Sequence, residues 1–120
     1  MSLPLSVDMK TVIELHKQSS RVFLDIYTQF ITETQALLST LEFSRASGDL
    51  QGIRETIHAL KQSSQQMGAA LMSYHAEKIE QLMGSQTHHQ TIRYEKMLDS
   101  QILAMQKAYE AYKDDISVLL

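Results

Sequence analysis

His58 is the residue of this 120-residue chain best placed to do covalent chemistry. At about 100° per residue, a helix through this stretch sets Gln51, Arg54, Lys61, Gln62 and Gln65 within roughly 60° of it. Ile53, Leu60 and Met67 fall on the opposite side. The histidine then sits mid-helix on a solvent-facing polar strip, with an exposed cation one turn away on each side, Arg54 and Lys61. An imidazole is substantially neutral near pH 7 and keeps a nucleophilic ring nitrogen. Neighbouring cations would offset the charge of an anionic group, such as a phosphoryl, arriving at that nitrogen. Geometry alone also has a plainer reading, because a single histidine on an exposed helix face is ordinarily a solvated side chain.

The other reactive residue types offer less. The chain has no cysteine, which excludes a thiol nucleophile, a disulfide framework and a thiolate metal site. His75 falls on an apolar stripe and reads as a core or boundary histidine. His88 and His89 are adjacent and could join His16 or a carboxylate around a metal, but two neighbours without a third spaced ligand do not make a site, so none is expected. There is no glycine-rich phosphate loop, kinase Asp-Phe-Gly motif or carboxylate pair suited to hydrolysis. No kinase or ATPase activity of its own is expected of the chain. The seven methionines read as core gap-fillers or docking-surface residues, Tyr109 and Tyr112 as core residues with polar tips, and Asp114-Asp115 as a solvated helix end.

The elements that would position His58 are helices. One proline, at position 4, and four glycines leave long runs of Leu, Ala, Gln, Glu and Lys with little strand-like alternation. A short first helix from Val7 to Gln18 carries Met9, Val12, Ile13 and His16 on one side. The second starts near Ser20, and its stripe of Phe23, Tyr27, Phe30, Thr34, Leu37 and Leu41 steps by four and three. Ser47-Gly48-Asp49 ends it, with Asp49 as N-cap of a third helix from Leu50 to Met67. Gly68 breaks the chain before a fourth helix bearing Leu71, Met72, His75, Ile79 and Leu82. Gly84 to Gln90 reads as a connection, and Leu98, Ile102, Met105, Tyr109, Tyr112 and Ile116 mark the last helix. The expectation is an all-α fold, an antiparallel four-helix bundle with a short additional N-terminal helix, forming one domain over residues 1–120 with the bundle at about 20–117.

The run His58-Ala-Leu-Lys61-x-Ser63-Ser64-x-x-x-Gly68-Ala69 resembles the signature of histidine-containing phosphotransfer (HPt) domains. In that family a histidine is followed by a lysine three positions on, then small residues, then a Gly-Ala pair. The resemblance covers roughly residues 20–117, with the Phe30-centred stripe, Asp49 and Ile53 upstream and Ile79-Glu80 where the family often has Leu-Glu. The size is most similar to the stand-alone bacterial phosphorelay carriers of the LuxU type. The resemblance implies His58 as phosphoacceptor through Nε2 and Lys61 as a residue that helps hold the phosphoryl group. It implies close helix packing at Ser63 and Ser64 and a tight passage at Gly68-Ala69. Glu80 falls where several relatives carry Gln or Glu bonded to the other imidazole nitrogen, which would fix the tautomer. Arg54, Gln62 and Gln65 would border the docking surface. The family most often has glycine directly after the lysine, whereas LuxU-type members accept serine; here it is Gln62, a larger residue that would stand where a partner approaches.

The implied partners are the receiver domain of a hybrid sensor histidine kinase and the receiver domain of a response regulator, with the chain itself a monomer. No cofactor is implied, since any Mg2+ would belong to the partner receiver. A net charge of −3 speaks against nucleic-acid binding, which needs a concentrated basic surface. No apolar stretch approaches the ~20 residues that span a bilayer, and the N-terminus lacks a signal-peptide pattern, so no membrane association and a cytoplasmic location are expected. Two alternatives stay open. Gln62 could shield His58 and leave a transfer-impaired docking or kinase-inhibiting module, or the bundle could be purely structural.

Overall fold

The computed structural model describes residues 2–84 and 92–119. They form five α-helices: α1 Met9–Gln18, α2 Ser20–Ser47, α3 Leu50–Gln66, α4 Ala70–Gly84 and α5 Ile92–Leu119. The chain is all-helical, with no strand among the described residues.

Side-chain caps and two glycine turns set most of the boundaries. α1 starts two residues later than Val7 because Asp8 is its N-cap. Its carboxylate accepts the Lys10 N–H at 3.1 Å and the Thr11 hydroxyl at 2.8 Å. Val7 and Val12, the positions of a hydrophobic staple around that cap, are both buried. α2 ends at Gly48, whose φ of 71° lies in the left-handed region. There the Gly48 N–H donates to the Arg45 carbonyl at 3.2 Å and the Asp49 N–H to the Ser44 carbonyl at 2.9 Å. α3 closes with the same pair of bonds at Gly68, also at φ 71°: Gly68 to Gln65 at 3.3 Å and Ala69 to Ser64 at 2.9 Å. Both turns are Schellman motifs, which glycine enters without the steric cost that a Cβ brings. Between them, the Asp49 side chain accepts the Gly52 N–H at 2.9 Å and caps the start of α3.

Helices adjacent in the chain pack on one another, α1 on α2, α2 on α3, α3 on α4 and α4 on α5. α2 and α5 meet through side chains: Tyr27 against Tyr112, Phe30 edge-on to Tyr109 and Tyr112, and the Arg45–Asp99 ion pair. The Tyr112 hydroxyl donates to the Met67 carbonyl at 2.6 Å, tying α5 to the end of α3. The core takes Phe23, Phe30, Thr34 and Leu41 from α2, Ile53 and Leu60 from α3, and Met72 and Ile79 from α4. All six marker positions of the last helix, from Leu98 to Ile116, are buried. α1 departs from expectation. Of Met9, Val12, Ile13 and His16 only Val12 is buried, while Met9 is 43% and Ile13 49% exposed. The helix packs on α2, and only the row through Val12 and Leu15 faces the core. His88 and His89, with the rest of the Ser85–Gln90 connection, lie outside the described residues. No described helix is long and apolar enough to cross a membrane.

Candidate functional site

α3 presents the histidine. Its buried row, Ile53, Ile57, Leu60 and Ser64, faces the core and so sets the rotation of the helix. Leu60 is fully buried, and the His58 side chain, on the opposite side, is 54% exposed. The burial of Ile79 in α4 brings the next residue, Glu80, against this strip.

Glu80 bridges two side chains of α3. One carboxylate oxygen, Oε2, lies 3.1 Å from His58 Nδ1, and the other, Oε1, lies 2.6 Å from Lys61 Nζ. Partial burial pushes the Glu80 carboxyl up. The hydrogen bonds and charges of Lys61 and His58 outweigh it and hold the group below its ordinary value. A carboxylate ionised at neutral pH only accepts hydrogen bonds. Its contact with His58 therefore requires the proton on Nδ1, which leaves Nε2 with the lone pair in the neutral ring.

Lys61 corrects an expectation. It is 22% rather than freely exposed, because its ammonium is drawn onto Glu80. That hydrogen bond, together with the charges of Glu80 and Glu77, outweighs desolvation and holds Lys61 above its ordinary range. Arg54 is the looser cation. It is exposed, with one long bond from Nη2 to the Met83 carbonyl at 3.4 Å, and lines a shallow cleft with Ile57, Glu80, Met83 and Gly84. The two cations flanking His58 are thus unequal, one held by a carboxylate and one nearly unheld.

Gln62 and Gln65 are exposed along the same strip. The serines turn inward: Ser63 is half-buried, its hydroxyl donating to the Leu60 carbonyl at 3.3 Å, and Ser64 is fully buried, donating to the Lys61 carbonyl at 3.0 Å. Gly68 stands ten residues from His58, about 15 Å along the axis. It is covered by α1, where the Asp8 N–H donates to its carbonyl at 2.6 Å and a Cβ would stand 3.0 Å from the Asp8 carbonyl oxygen. The structure therefore brings His58 and Lys61 each into contact with Glu80, with Arg54, Gln62 and Gln65 along the same strip. Ser64 and Gly68 are packing positions, out of a docking partner's reach. His75 is buried against Tyr74 and bonded through Nδ1 to Gln101 Oε1 at 3.0 Å, a satisfied boundary histidine.

The Lys61–Glu80 pair has no counterpart among the sequence-based expectations. Its residues are nineteen positions apart on different helices, and no local spacing signals it. The site is an exposed strip beside a shallow cleft, and a separate groove runs between α2 and α5, lined by Leu38, Tyr109 and Asp114 among others. An imidazole this open to solvent can be reached by a reaction partner that is itself a macromolecule. Among the described residues, no group of three or more His, Asp or Glu side chains is gathered as for a metal ion.

Searches of curated proteins and of solved structures gave no match. The family model described as Hpt domain matches residues 25–115, from the first turns of α2 nearly to the end of α5. With that match across most of its length, the chain belongs to the Hpt domain family, whose members carry out histidine phosphotransfer in phosphorelay, two-component signalling and interact with receiver domains and response regulators.

Proposed function

We propose that His58 is the phosphoacceptor of a multistep phosphorelay. It takes a phosphoryl group from the receiver domain of a hybrid sensor histidine kinase and passes it to the receiver of a response regulator. The observation that carries this is the exposed His58 ring held through Nδ1 by Glu80. In the forward step the Nε2 lone pair attacks phosphorus while the P–O bond to the donor aspartate breaks. The aspartate leaves as a carboxylate with the bonding electrons. Positive charge develops on the ring, where the Nδ1–H faces the Glu80 carboxylate. Lys61 and Arg54 offset the phosphoryl charge, and Gln62 and Gln65 border the surface on which the receiver sits. Any Mg2+ is the receiver's own, and the chain needs no cofactor.

The same reading takes α2–α5 as an antiparallel four-helix bundle with α1 across one end, making a single domain. The chain acts as a cytoplasmic monomer, a carrier of the LuxU type. The opposed contact order of Tyr27–Tyr112, Phe30–Tyr109 and Arg45–Asp99 supports the bundle, as does that of Arg54–Met83 and His58–Glu80.

The test is incubation with radiolabelled phospho-receivers, wild type beside His58→Gln. The expected result is acid-labile, alkali-stable label on the wild type alone. Label that persists in His58→Gln, or maps to His75 or His88, overturns the assignment. A wild type that binds receivers but takes no label would point instead to a docking or kinase-inhibiting module, with the exposed Gln62 as the first suspect.

A further inference from the structure

Within the proposed role of His58, the sharing of Glu80 between two α3 side chains has a thermodynamic consequence. In the resting site Glu80 holds Lys61 Nζ at 2.6 Å while bonding His58 Nδ1 at 3.1 Å. Once Nε2 carries a phosphoryl group, a dianion stands within a turn of the same ammonium. We infer that Glu80 and the phosphoryl group compete for Lys61, so that Glu80 is a positioning residue that weakens Lys61's grip on phosphohistidine and tunes how readily the group is passed on.

Three observations support this. Glu80 contacts both other side chains, so an ammonium that turns toward a new anion beside His58 divides its charge between that anion and Glu80. Lys61 and Glu80 are both partly withdrawn from water, 22% and 28% exposed, where a charge pair is screened less than on an open surface. Arg54 has no carboxylate partner among the described residues, only the long bond to the Met83 carbonyl. It can meet an arriving anion without that exchange. Glu77, the other acid acting on Lys61, sits one turn before Glu80 on α4 and is exposed. It limits how far Lys61 is released but does not touch the imidazole.

Glu80 has a second, opposite effect. Its charge favours the positive ring formed when Nε2 is phosphorylated, so a single substitution mixes the two influences and a double-mutant cycle is needed to part them. Glu80→Gln is the informative variant, because its amide oxygen still accepts from Nδ1–H while the negative charge on Lys61 disappears. The 15N shifts of His58 confirm or refute that the tautomer is kept.

The experiment measures the equilibrium between a phospho-receiver and phosphorylated His58 for wild type, Lys61→Met, Glu80→Gln and the double variant. Competition predicts that Lys61→Met weakens retention of the phosphoryl group about three- to tenfold more in the Glu80→Gln background than in the wild type. Equal factors in both backgrounds overturn the inference. So does a smaller factor in the Glu80→Gln background, which would mean that Glu80 helps Lys61 toward the phosphoryl group. Absence of label on the wild type refutes the phosphoacceptor assignment instead, and the two failures are distinguishable.

Discussion

The α3–α4 face and the α2–α5 seam use polar side chains to opposite ends. Along α3–α4, His58, Lys61 and Glu80 are partly exposed, charged or chargeable, and linked into one set. Along α2–α5, aromatic rings pack edge to face. Burial pushes the Tyr109 hydroxyl up to about 12 and raises that of Tyr112 further, so both stay protonated at any physiological pH. Tyr112 spends its proton on the Met67 carbonyl, a purely architectural bond. The contrast teaches where reactivity sits: the seam holds the frame, and the face keeps its ionic groups near water, where a second protein can reach them.

If the division holds, substitutions should separate stability from transfer. Phe30→Ala in the seam should have the largest effect, costing about 3–5 kcal/mol of stability through the cavity it leaves among Tyr109 and Tyr112. Denaturant melts would show it, and the transfer rate per folded molecule should not change; a specific rate defect would blur the comparison. Lys61→Ala should do the reverse. Quench-flow transfer from a phospho-receiver should slow about tenfold, roughly 1.4 kcal/mol of barrier, with little change in unfolding midpoint. An unchanged rate would remove Lys61 from the chemistry.

Gln62→Gly sharpens the comparison within α3 itself. Gln62 is exposed beside His58, so its removal should open the approach. We expect faster transfer from two unrelated phospho-receivers and a stability loss of about 1 kcal/mol for a glycine in a helix. Slower transfer with both receivers would place Gln62 in the active site. The smallest effect concerns pH. The Glu80 carboxyl is held below its ordinary value, so its stabilising contribution is present above the unfolded-state value near 4.5 and is lost as pH falls through the lower folded-state value. Glu80→Gln should therefore lose a small part of the stability at neutrality and flatten the acid limb, so that the two profiles converge as pH falls. Parallel thermal melts between pH 3 and 7 would decide it, and identical acid limbs would refute it.

Much of this frame is legible in the order of the amino acids. Gly48-Asp49 and Gly68 announce turns because left-handed backbone and side-chain caps are local properties. The stripes of α2 and α5 announce burial because one face of a helix repeats every three or four residues. The exposure of His58 follows from the same periodicity, applied from Leu60. Two things escape because they depend on how helices meet. The approach of Glu80 to Lys61 depends on the register of α4 on α3, which no spacing within either helix encodes. The exposure of Met9 and Ile13 depends on how α1 lies on α2 and on the Gly68 corner, so an amphipathic stripe that promises full burial delivers it only along the Val12 row.

The paired glycine turns have one more consequence. α3 is gripped at its first turn by the Gly48-Asp49 corner and at its last by the Gly68-Ala69 corner, and the second corner is bonded in turn to Asp8. A rod clamped at both ends cannot roll. The rotation that the buried row gives α3 is therefore backed by main-chain bonds at both ends of the helix, while Glu80 holds the His58 ring itself. Substitutions along the exposed strip, among Gln51, Gln62 and Gln65, change the surface around His58 while the helix keeps the same heading. Surface chemistry and reactive geometry can thus drift separately on a single helix.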